Sequence, residues 1–209
     1  MYADARFWDR IAESYSAKPV DDPDAFERKI AITKGLMVSD HVIADFGCGT
    51  GSLVLRLADQ AAHVHGVDVS PNMIRIARGK AMDQGVTNVT FHVSSLEDHG
   101  TFEPGGLDGV LAYSLLHLVE DPRAVLAKLF GLLKPGGYFV SSTVCIRDTW
   151  IPKPLLTLMR WAGRAPSIQV FGRRRLLEYV REAGFVDIET PDVGASSRIA
   201  FVVARRPAG

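Results

Sequence analysis

Residues 42–53 read Val-Ile-Ala-Asp-Phe-Gly-Cys-Gly-Thr-Gly-Ser-Leu, an apolar run that is interrupted by three alternating glycines before apolar sequence resumes. The run predicts a buried strand, and the sequence after the last glycine predicts a helix. Because glycine has no Cβ, the backbone at Gly47, Gly49 and Gly51 can adopt positive φ values and let a ligand come close. The helix would add free N–H groups and a positive dipole end. The stretch therefore predicts a site for a nucleoside-like ligand.

Two classes of ligand compete for such a loop. A nicotinamide or flavin dinucleotide is bound by G-x-G-x-x-G, with its pyrophosphate at the helix N-terminus. Here the third glycine, Gly51, comes one residue early, and Ser52 occupies the position of the motif's last glycine. Asp45 precedes the first glycine by two residues, where its negative charge gives a pyrophosphate no advantage. The loop therefore favours a cationic ligand over a dianionic one.

The pattern Asp45-x-Gly47-x-Gly49-x-Gly51 resembles the first motif of the class I S-adenosylmethionine-dependent methyltransferases. The resemblance implies S-adenosylmethionine as cofactor and S-adenosylhomocysteine as product. It also implies that Asp45 orders the loop and favours the cationic end of the cofactor, while the three glycines allow close approach. Leu-Lys-Pro-Gly-Gly at 133–137 is similar to the family's turn before its fifth strand.

The second motif of the resemblance ends at Asp68, after the predicted strand 63–68. In the family this acid binds both ribose hydroxyls, and a carboxylate suits the task because it accepts two charge-assisted hydrogen bonds from a diol. The alternative for Asp68 is a turn carboxylate that caps local N–H groups. Where the family often places an acid for the adenine amino group, this chain has Ser95, a weaker acceptor. The other contacts expected with the cofactor come from Val69, Met73 and Leu96.

The N-terminal residues 3–36 are predicted to form two helices with a break around 18–23. Residues 7–15 resemble the N-terminal segment of small-molecule methyltransferases of the ubiquinone and menaquinone biosynthesis type, which folds over cofactor and substrate. The resemblance implies that Tyr15 and Lys18 reach the cofactor's carboxylate. Simple packing of the apolar helix face on the domain is the alternative.

Strands and helices alternate along the rest of the chain, which predicts a parallel sheet covered by helices. The predicted strands are 42–46, 63–68, 89–94, 107–113, 137–145, 185–190 and 198–205; the predicted helices are 51–59, 71–84, 122–133 and one that starts near Arg174 and is closed by Gly184. The last two strands are joined by too short a connection for a crossover helix, so they should pair antiparallel. With the resemblance, this predicts an α/β, Rossmann-like, doubly wound seven-stranded sheet, mostly parallel with an antiparallel C-terminal strand.

Length and composition, 209 residues of which 47% are hydrophobic, predict a single domain over 1–209. Within it we expect an N-terminal helical cap over 1–36 and a lid insertion over 146–171. The formal net charge of zero gives no indication of nucleic-acid binding. Cys48 and Cys145 lack metal-ligand spacing and are expected to be reduced thiols, with no metal. No signal peptide or transmembrane run is found, so we expect a cytoplasmic protein.

The acceptor half of the site is expected in residues 108–118, which resemble the family's fourth strand and following loop. An N-P-P-Y or D-P-P-Y sequence, usual for exocyclic or amide nitrogen acceptors, is absent, so oxygen and carbon rank above nitrogen. His117 is the candidate general base because its ordinary pKa lies near neutrality, with a structural hydrogen bond or a cofactor contact as alternatives. Tyr113 either lines the pocket or packs.

Residues 147–181 contain eight lysines and arginines against two acids. They are either a solvated basic face or a cap for a hydrophobic, negatively charged small-molecule acceptor, and contact with an anionic membrane surface is left open. The oligomeric state is also left open. The function favoured by these observations is methyl transfer from S-adenosylmethionine to a small molecule. A nucleotide-dependent Rossmann oxidoreductase and a non-catalytic S-adenosylmethionine-binding protein are the alternatives.

Overall fold

The computed structural model describes residues 5–95, 101–145 and 169–209. These form a seven-stranded sheet in the order β3-β2-β1-β4-β5-β7-β6. The strands are β1 (Val42–Phe46), β2 (His63–Asp68), β3 (Val89–Val93), β4 (Leu107–Tyr113), β5 (Leu133–Val144), β6 (Val186–Glu189) and β7 (Ile199–Arg205). Strands β1 to β5 pair in parallel, and β7 pairs antiparallel with both β5 and β6. The predicted fold class and the antiparallel last pair are therefore confirmed.

Helices cover both faces of the sheet. They are α1 (Ala5–Ala17), α2 (Pro23–Lys34), α3 (Ser52–Leu57), α4 (Pro71–Asp83), α5 (Pro122–Leu132) and α6 (Arg173–Glu182), with a 3-10 turn at Ala58–Gln60 after α3. One apolar core joins the sheet to α5 and α6, and a second joins it to α2, α3 and α4. This three-layer arrangement leaves the carboxyl ends of the parallel strands along one open edge, where such sheets bind ligands.

Three helices begin with the same two features, an N-cap side chain and a proline directly after it. The Ser70 hydroxyl accepts from Met73 N–H at 3.1 Å at the start of α4. Carboxylates of Asp22 and Asp121 cap α2 and α5 in the same way. The capped ends satisfy N–H groups that have no intrahelical partner, and proline fits the first turn because its missing N–H costs nothing there. The caps thus fix where α2 and α4 start, next to the ligand-binding edge.

Some predicted boundaries differ from the observed ones. Strand β5 begins at Leu133, not at 137, because Leu133 already pairs with Leu107; a register shift then takes up the Pro-Gly-Gly turn before pairing resumes at Tyr138. Helix α3 is shorter than predicted because its last turn is a 3-10 turn. The predicted break around 18–23 is found between α1 and α2. Apart from residues 169–171, the predicted lid over 146–171 lies outside the described residues.

In the described ranges, no helix combines the length and apolar character that crossing a membrane requires. Over the same ranges, no group of three or more histidine, cysteine or carboxylate side chains has the geometry of a metal site. Cys48 and Cys145 are both buried, and no disulfide joins them.

Candidate active site

A cavity of about 560 Å³ opens at the carboxyl ends of β1, β2, β4 and β5. Its walls come from the glycine loop, from the strand ends, and from α1, α2 and the segment between them. Most of the site residues expected from the sequence lie in these walls: Tyr15, Lys18, Asp45, Gly47, Gly49, Asp68, Val69, Met73, Tyr113 and His117. The fold therefore assembles, in one place, side chains that are far apart in the chain.

The glycine loop is tied to strand β2 by its own N–H groups. Those of Gly47 and Cys48 donate to the Val67 carbonyl at 2.8 and 3.0 Å, and that of Gly49 donates to Asp68 Oδ2 at 3.0 Å. Gly49 has φ +53°, and a Cβ added there would meet only the Tyr15 ring, at 3.7 Å. The missing side chain at Gly49 therefore leaves open space on the cavity side, as close ligand approach requires.

Gly51 corrects part of the prediction, because it does not line the cavity. A Cβ at this position would stand 2.9 Å from both the Ala77 Cβ and the Phe91 ring, and φ is +76°. Its N–H donates to the Cys48 carbonyl, and its own carbonyl accepts from Leu55. Glycine at 51 is thus explained by close packing of the loop against α4 and β3 rather than by approach of a ligand.

Asp45 is the most deeply buried charged residue of the cavity wall, with 1% of its surface exposed. The Tyr113 N–H donates to its carboxylate, while Oδ1 has no hydrogen-bond partner among the described residues. Burial, and then the negative charge of Asp68, raise the pKa of Asp45 to about 8. A cation placed in the cavity would reverse this effect, because it stabilises the ionised carboxylate.

Asp68 realises the capping role that was the alternative to ribose binding. Its Oδ2 accepts from Gly49 N–H at 3.0 Å and its Oδ1 from Ser70 N–H at 2.9 Å. Burial raises the pKa of Asp68, although these backbone hydrogen bonds act in the opposite direction. Each carboxylate oxygen has two acceptor sites, so both oxygens retain capacity for a ligand hydroxyl. Ribose binding by Asp68 stays a prediction that the geometry permits.

Some of the residues expected to contact adenine line the cavity. Val69 and Met73 line the cavity, but the serine that borders it is Ser94, one residue before the expected Ser95. The N–H of Ser94 donates to the Asp68 carbonyl at 3.0 Å, which places Ser94 directly beside the predicted ribose site. Leu96 lies outside the described residues.

Helix α1 folds across the start of α4 and covers one side of the cavity. Asp9 Oδ1 accepts from the Ser70 hydroxyl at 2.9 Å and from Asn72 N–H at 2.8 Å. Tyr15, 47% exposed, stands over the glycine loop with its ring edge-to-face against Trp8. The amine of Lys18 lies 2.7 Å from Asp21 and is largely exposed. The role of this segment as a cap over a cofactor, and the contacts of Tyr15 and Lys18 with a carboxylate, stay predictions.

Tyr113 both lines the cavity and packs, so neither alternative alone describes it. Its hydroxyl shares a 2.8 Å hydrogen bond with Thr33 Oγ1, and its ring lies edge-to-face on Phe201. Burial raises the pKa of Tyr113 well above its ordinary value. A hydroxyl that is so placed holds its proton and supports the wall of the cavity.

His117, the predicted general base, is 8% exposed and lines the cavity. Its carbonyl accepts from Gln169 N–H at 2.8 Å, and its ring Nδ1 has no partner among the described residues. Burial lowers the pKa of His117 to about 4. The imidazole is therefore neutral at physiological pH, its Nδ1 is shielded from solvent, and its role as a base stays a prediction.

Sequence reasoning missed Lys29, which lines the cavity although only 7% of its surface is exposed. The sequence contained an indication of this position. The buried face of α2 includes, at four-residue spacing, Ala25, Lys29 and Thr33. A lysine at a position where the helix pattern demands an apolar residue is a candidate for function.

The basic residues of 147–181 are described only from Arg173 onward. Arg174 and Arg175 both pair with Glu178, at 3.1 and 2.7 Å, and Arg175 also lies over the Tyr179 ring. This part of the basic stretch fits the solvated-face interpretation. Arg147, Lys153, Arg160 and Arg164 lie outside the described residues.

A family model described as a methyltransferase domain matches residues 38–180, which is more than half of the chain. The chain belongs to this methyltransferase family. The predicted family, that of the methyltransferases that use S-adenosylmethionine, is thereby confirmed.

Relatives of this methyltransferase include two ubiquinone biosynthesis O-methyltransferases. The protein from Xylella fastidiosa (strain 9a5c) is 34% identical over 113 residues, which cover 54% of this chain and 46% of the relative. The protein from Vibrio parahaemolyticus is 31% identical over 140 residues, which cover 67% of this chain and 58% of the relative. The chain thus spans about half the length of these relatives.

Solved structures share the fold of this methyltransferase. Haemonchus contortus phosphoethanolamine N-methyltransferase 2, in complex with S-adenosyl-L-methionine, matches with a TM-score of 0.72 at 19% identity, over 87% of this chain and 52% of that one. The [4+2]-cyclase SpnF matches with a TM-score of 0.70 at 22% identity, over 87% and 82%. A cyclase on the same fold shows that the reaction must be argued from the site.

The residues present fit S-adenosylmethionine. Asp45 offers a buried carboxylate oxygen with no partner in the described residues, which suits a ligand that carries positive charge. The open face at Gly49 leaves room beside it, and Asp68 retains acceptor capacity for a diol. Val69 and Met73 line the cavity, where apolar contact with a nucleobase is expected.

Proposed function

We propose that this protein transfers the methyl group of S-adenosylmethionine to a small molecule, at oxygen or carbon in preference to nitrogen. The observation that carries the proposal is one cavity with two unlike halves. Asp45 and Asp68 lie at the ends of β1 and β2, while Tyr113 and Ser142 lie at the ends of β4 and β5. Because β1 and β4 are neighbours in the sheet, a cofactor on the first half would present its reactive end to the second.

The second half suits a hydrophobic acceptor. Phe26, Leu118 and Ile199 border the cavity there, next to the neutral His117. The remaining basic residues of this stretch, Arg147, Lys153, Arg160 and Arg164, support an acceptor that also carries negative charge. The absence of an N-P-P-Y or D-P-P-Y sequence supports oxygen or carbon as the acceptor atom, and the names of the O-methyltransferase relatives support oxygen.

When bound, the cofactor supplies a methyl group already activated by positively charged sulfur. The chain's task is therefore to bind, orient and exclude water, which can account for most of the rate enhancement. Asp68 and the glycine loop orient the nucleoside. Tyr113 supports the cavity wall between the cofactor half and the acceptor half. We assign to the His117 imidazole the acceptance of a proton from an acidic hydroxyl or carbon acid.

The test uses the full chain with methyl-labelled S-adenosylmethionine and matched sets of catechols, phenols, carbon acids and amines. Labelled product from the oxygen or carbon sets, with little from amines, is the expected result. Calorimetry with S-adenosylhomocysteine and NADH runs alongside. Tight binding of NADH with no binding of S-adenosylhomocysteine would favour an oxidoreductase, and cofactor binding with no transfer to any set would favour a non-catalytic binding protein.

A further inference from the structure

Asp9 joins α1 to the start of α4, although it lies 61 residues before Ser70 in the chain. Its Oδ1 accepts from the Ser70 hydroxyl at 2.9 Å and from Asn72 N–H at 2.8 Å, and its carbonyl accepts from the Asn72 side-chain amide at 3.3 Å. The first N–H groups of a helix have no intrahelical partners and attract negative charge. The Asp9 carboxylate therefore fixes where the start of α4 lies relative to α1.

Ser70 connects this carboxylate to the predicted ribose-binding acid, Asp68. Ser70 is fully buried, and its hydroxyl, which donates to Asp9, also accepts from Met73 N–H at 3.1 Å. The N–H of Ser70 donates to Asp68 Oδ1 at 2.9 Å. A hydroxyl has a single proton to donate, so the bond to Asp9 uses that proton. Ser70 is thus held from several sides, and a shift of this residue would disturb its bond with Asp68.

Two backbone N–H groups set the orientation of the Asp68 carboxylate. Oδ2 accepts from Gly49 N–H at 3.0 Å, and Oδ1 accepts from Ser70 N–H. Binding of a diol uses both carboxylate oxygens at once, so a small rotation of the carboxylate weakens two hydrogen bonds together. The glycine loop holds one oxygen. The other is held by the start of α4, which is bonded to Asp9.

We propose that Asp9 is a positioning residue, which through Ser70 keeps the Asp68 carboxylate in the orientation that binds the two hydroxyls of a ribose. This role rests on the proposed function and on ribose binding by Asp68. It gives α1 a part in nucleoside recognition that requires no contact between Asp9 and the nucleoside.

The experiment compares Asp9→Ala and Asp9→Asn with the unchanged protein. Glu13→Ala is the matched control, because Glu13 also joins α1 to α4, but does so through an exposed ion pair with Arg75. Isothermal calorimetry uses S-adenosylhomocysteine and its 2′-deoxyribose analogue, which differ in one hydroxyl. The ratio of the two dissociation constants measures recognition of the diol. A general loosening of the cavity wall would weaken both ligands equally and leave this ratio unchanged.

The unchanged protein should prefer the ribose form about tenfold, as expected for one hydrogen bond to a charged group. Asp9→Ala should reduce this preference about threefold or more, because the orientation of Asp68 is then less well fixed. Asp9→Asn, which keeps an oxygen acceptor, and Glu13→Ala should retain most of it. An unchanged preference in Asp9→Ala, an equal loss for both ligands, or the same reduction in Glu13→Ala overturns the proposal.

Two results for the unchanged protein separate this proposal from the proposed function. Failure to bind S-adenosylhomocysteine would overturn the proposed function itself. Equal affinity for the ribose and deoxyribose forms would overturn the positioning role alone, since Asp68 would then not bind the diol. Thermal unfolding monitors folding of each variant. Should Asp9→Ala fail to fold, Ser70→Ala, which removes the same link but keeps the N–H that donates to Asp68, carries the test.

Discussion

Replacing Asp45 by asparagine tests whether the glycine loop is charged for a cation. The pKa of Asp45 is raised from 3.8 to about 8 by burial and by Asp68. At pH 7 only about a tenth of free protein would carry the ionised carboxylate, since each pH unit below the pKa reduces that fraction about tenfold. A cation about 5 Å away in an effective dielectric of about 20 contributes roughly 3 kcal/mol, which lowers the pKa by about two units. Binding of S-adenosylmethionine should therefore release close to one proton per site.

The same pKa values predict how the affinity for S-adenosylmethionine changes with pH. Between pH 6 and pH 7 the ionised fraction of the free protein grows about tenfold while the complex stays mostly ionised, so binding should tighten roughly five- to tenfold. The Asp45→Asn variant keeps the size of the side chain and an acceptor for Tyr113 N–H, but its amide cannot titrate. Calorimetry in buffers of different ionisation enthalpy measures the proton release for both proteins. Equal proton release and equal pH dependence in the two would refute the reasoning.

The stability of the free protein provides an independent check. Ligand affinity should rise with pH, whereas the free energy of unfolding should fall. The folded carboxyl holds its proton up to about pH 8, whereas the unfolded one loses it near 3.8. The folded state therefore binds more protons between these values, and stability should fall as pH rises from about 4 to 8. Asp45→Asn should remove that part of the fall, so the variant should gain stability relative to the unchanged protein at pH 8. Urea unfolding at a series of pH values measures the difference.

Three further changes test other parts of the site. Asp68→Ala should weaken S-adenosylhomocysteine tenfold or more by calorimetry, because losing a two-hydrogen-bond contact costs about 1.5–3 kcal/mol; a lower melting temperature with unchanged affinity would leave only the turn-capping role. Gly51→Ala should destabilise the fold by about 1–3 kcal/mol in urea unfolding, because its Cβ would stand 2.9 Å from Ala77 and Phe91; full stability would contradict the packing explanation. His117→Asn should lower kcat and leave cofactor affinity unchanged. Because burial lowers the pKa of His117 to about 4, the activity of the unchanged enzyme should show no step due to His117 between pH 5.5 and 8.

Strands and helices could be predicted from the sequence because their patterns are local, and the family resemblance supplied the seven-stranded sheet. The alternation of apolar strands with helices that start at Ser70-Pro71 and Asp121-Pro122 predicts each βα unit, and the parallel order follows from the crossover connections. The glycine spacing around Gly49 predicts where the chain leaves the sheet. Strand β5 was mispredicted at its start because pairing of Leu133 with Leu107 is a tertiary contact that no local pattern contains.

The site was less predictable because a side chain's role depends on what surrounds it. Gly51 belongs to the loop motif, but its neighbours Ala77 and Phe91 come from α4 and β3, so only the fold shows that it packs. The pKa of His117 lies near 4 rather than near neutrality because burial, which the sequence does not encode locally, removes its solvent. The helical pattern around Lys29 gives its place on α2 but not the cavity beside it.

The charges that line the cavity bear on which class of ligand it can hold. Asp45, whose buried Oδ1 has no hydrogen-bond partner among the described residues, favours positive charge at one end of the cavity. The pyrophosphate of a dinucleotide would bring two negative charges beside Asp45 and Asp68, where the loop N–H groups of Gly47 and Gly49 are already bonded within the fold. The charge around Asp45 therefore supports a cationic ligand over a dinucleotide in this cavity.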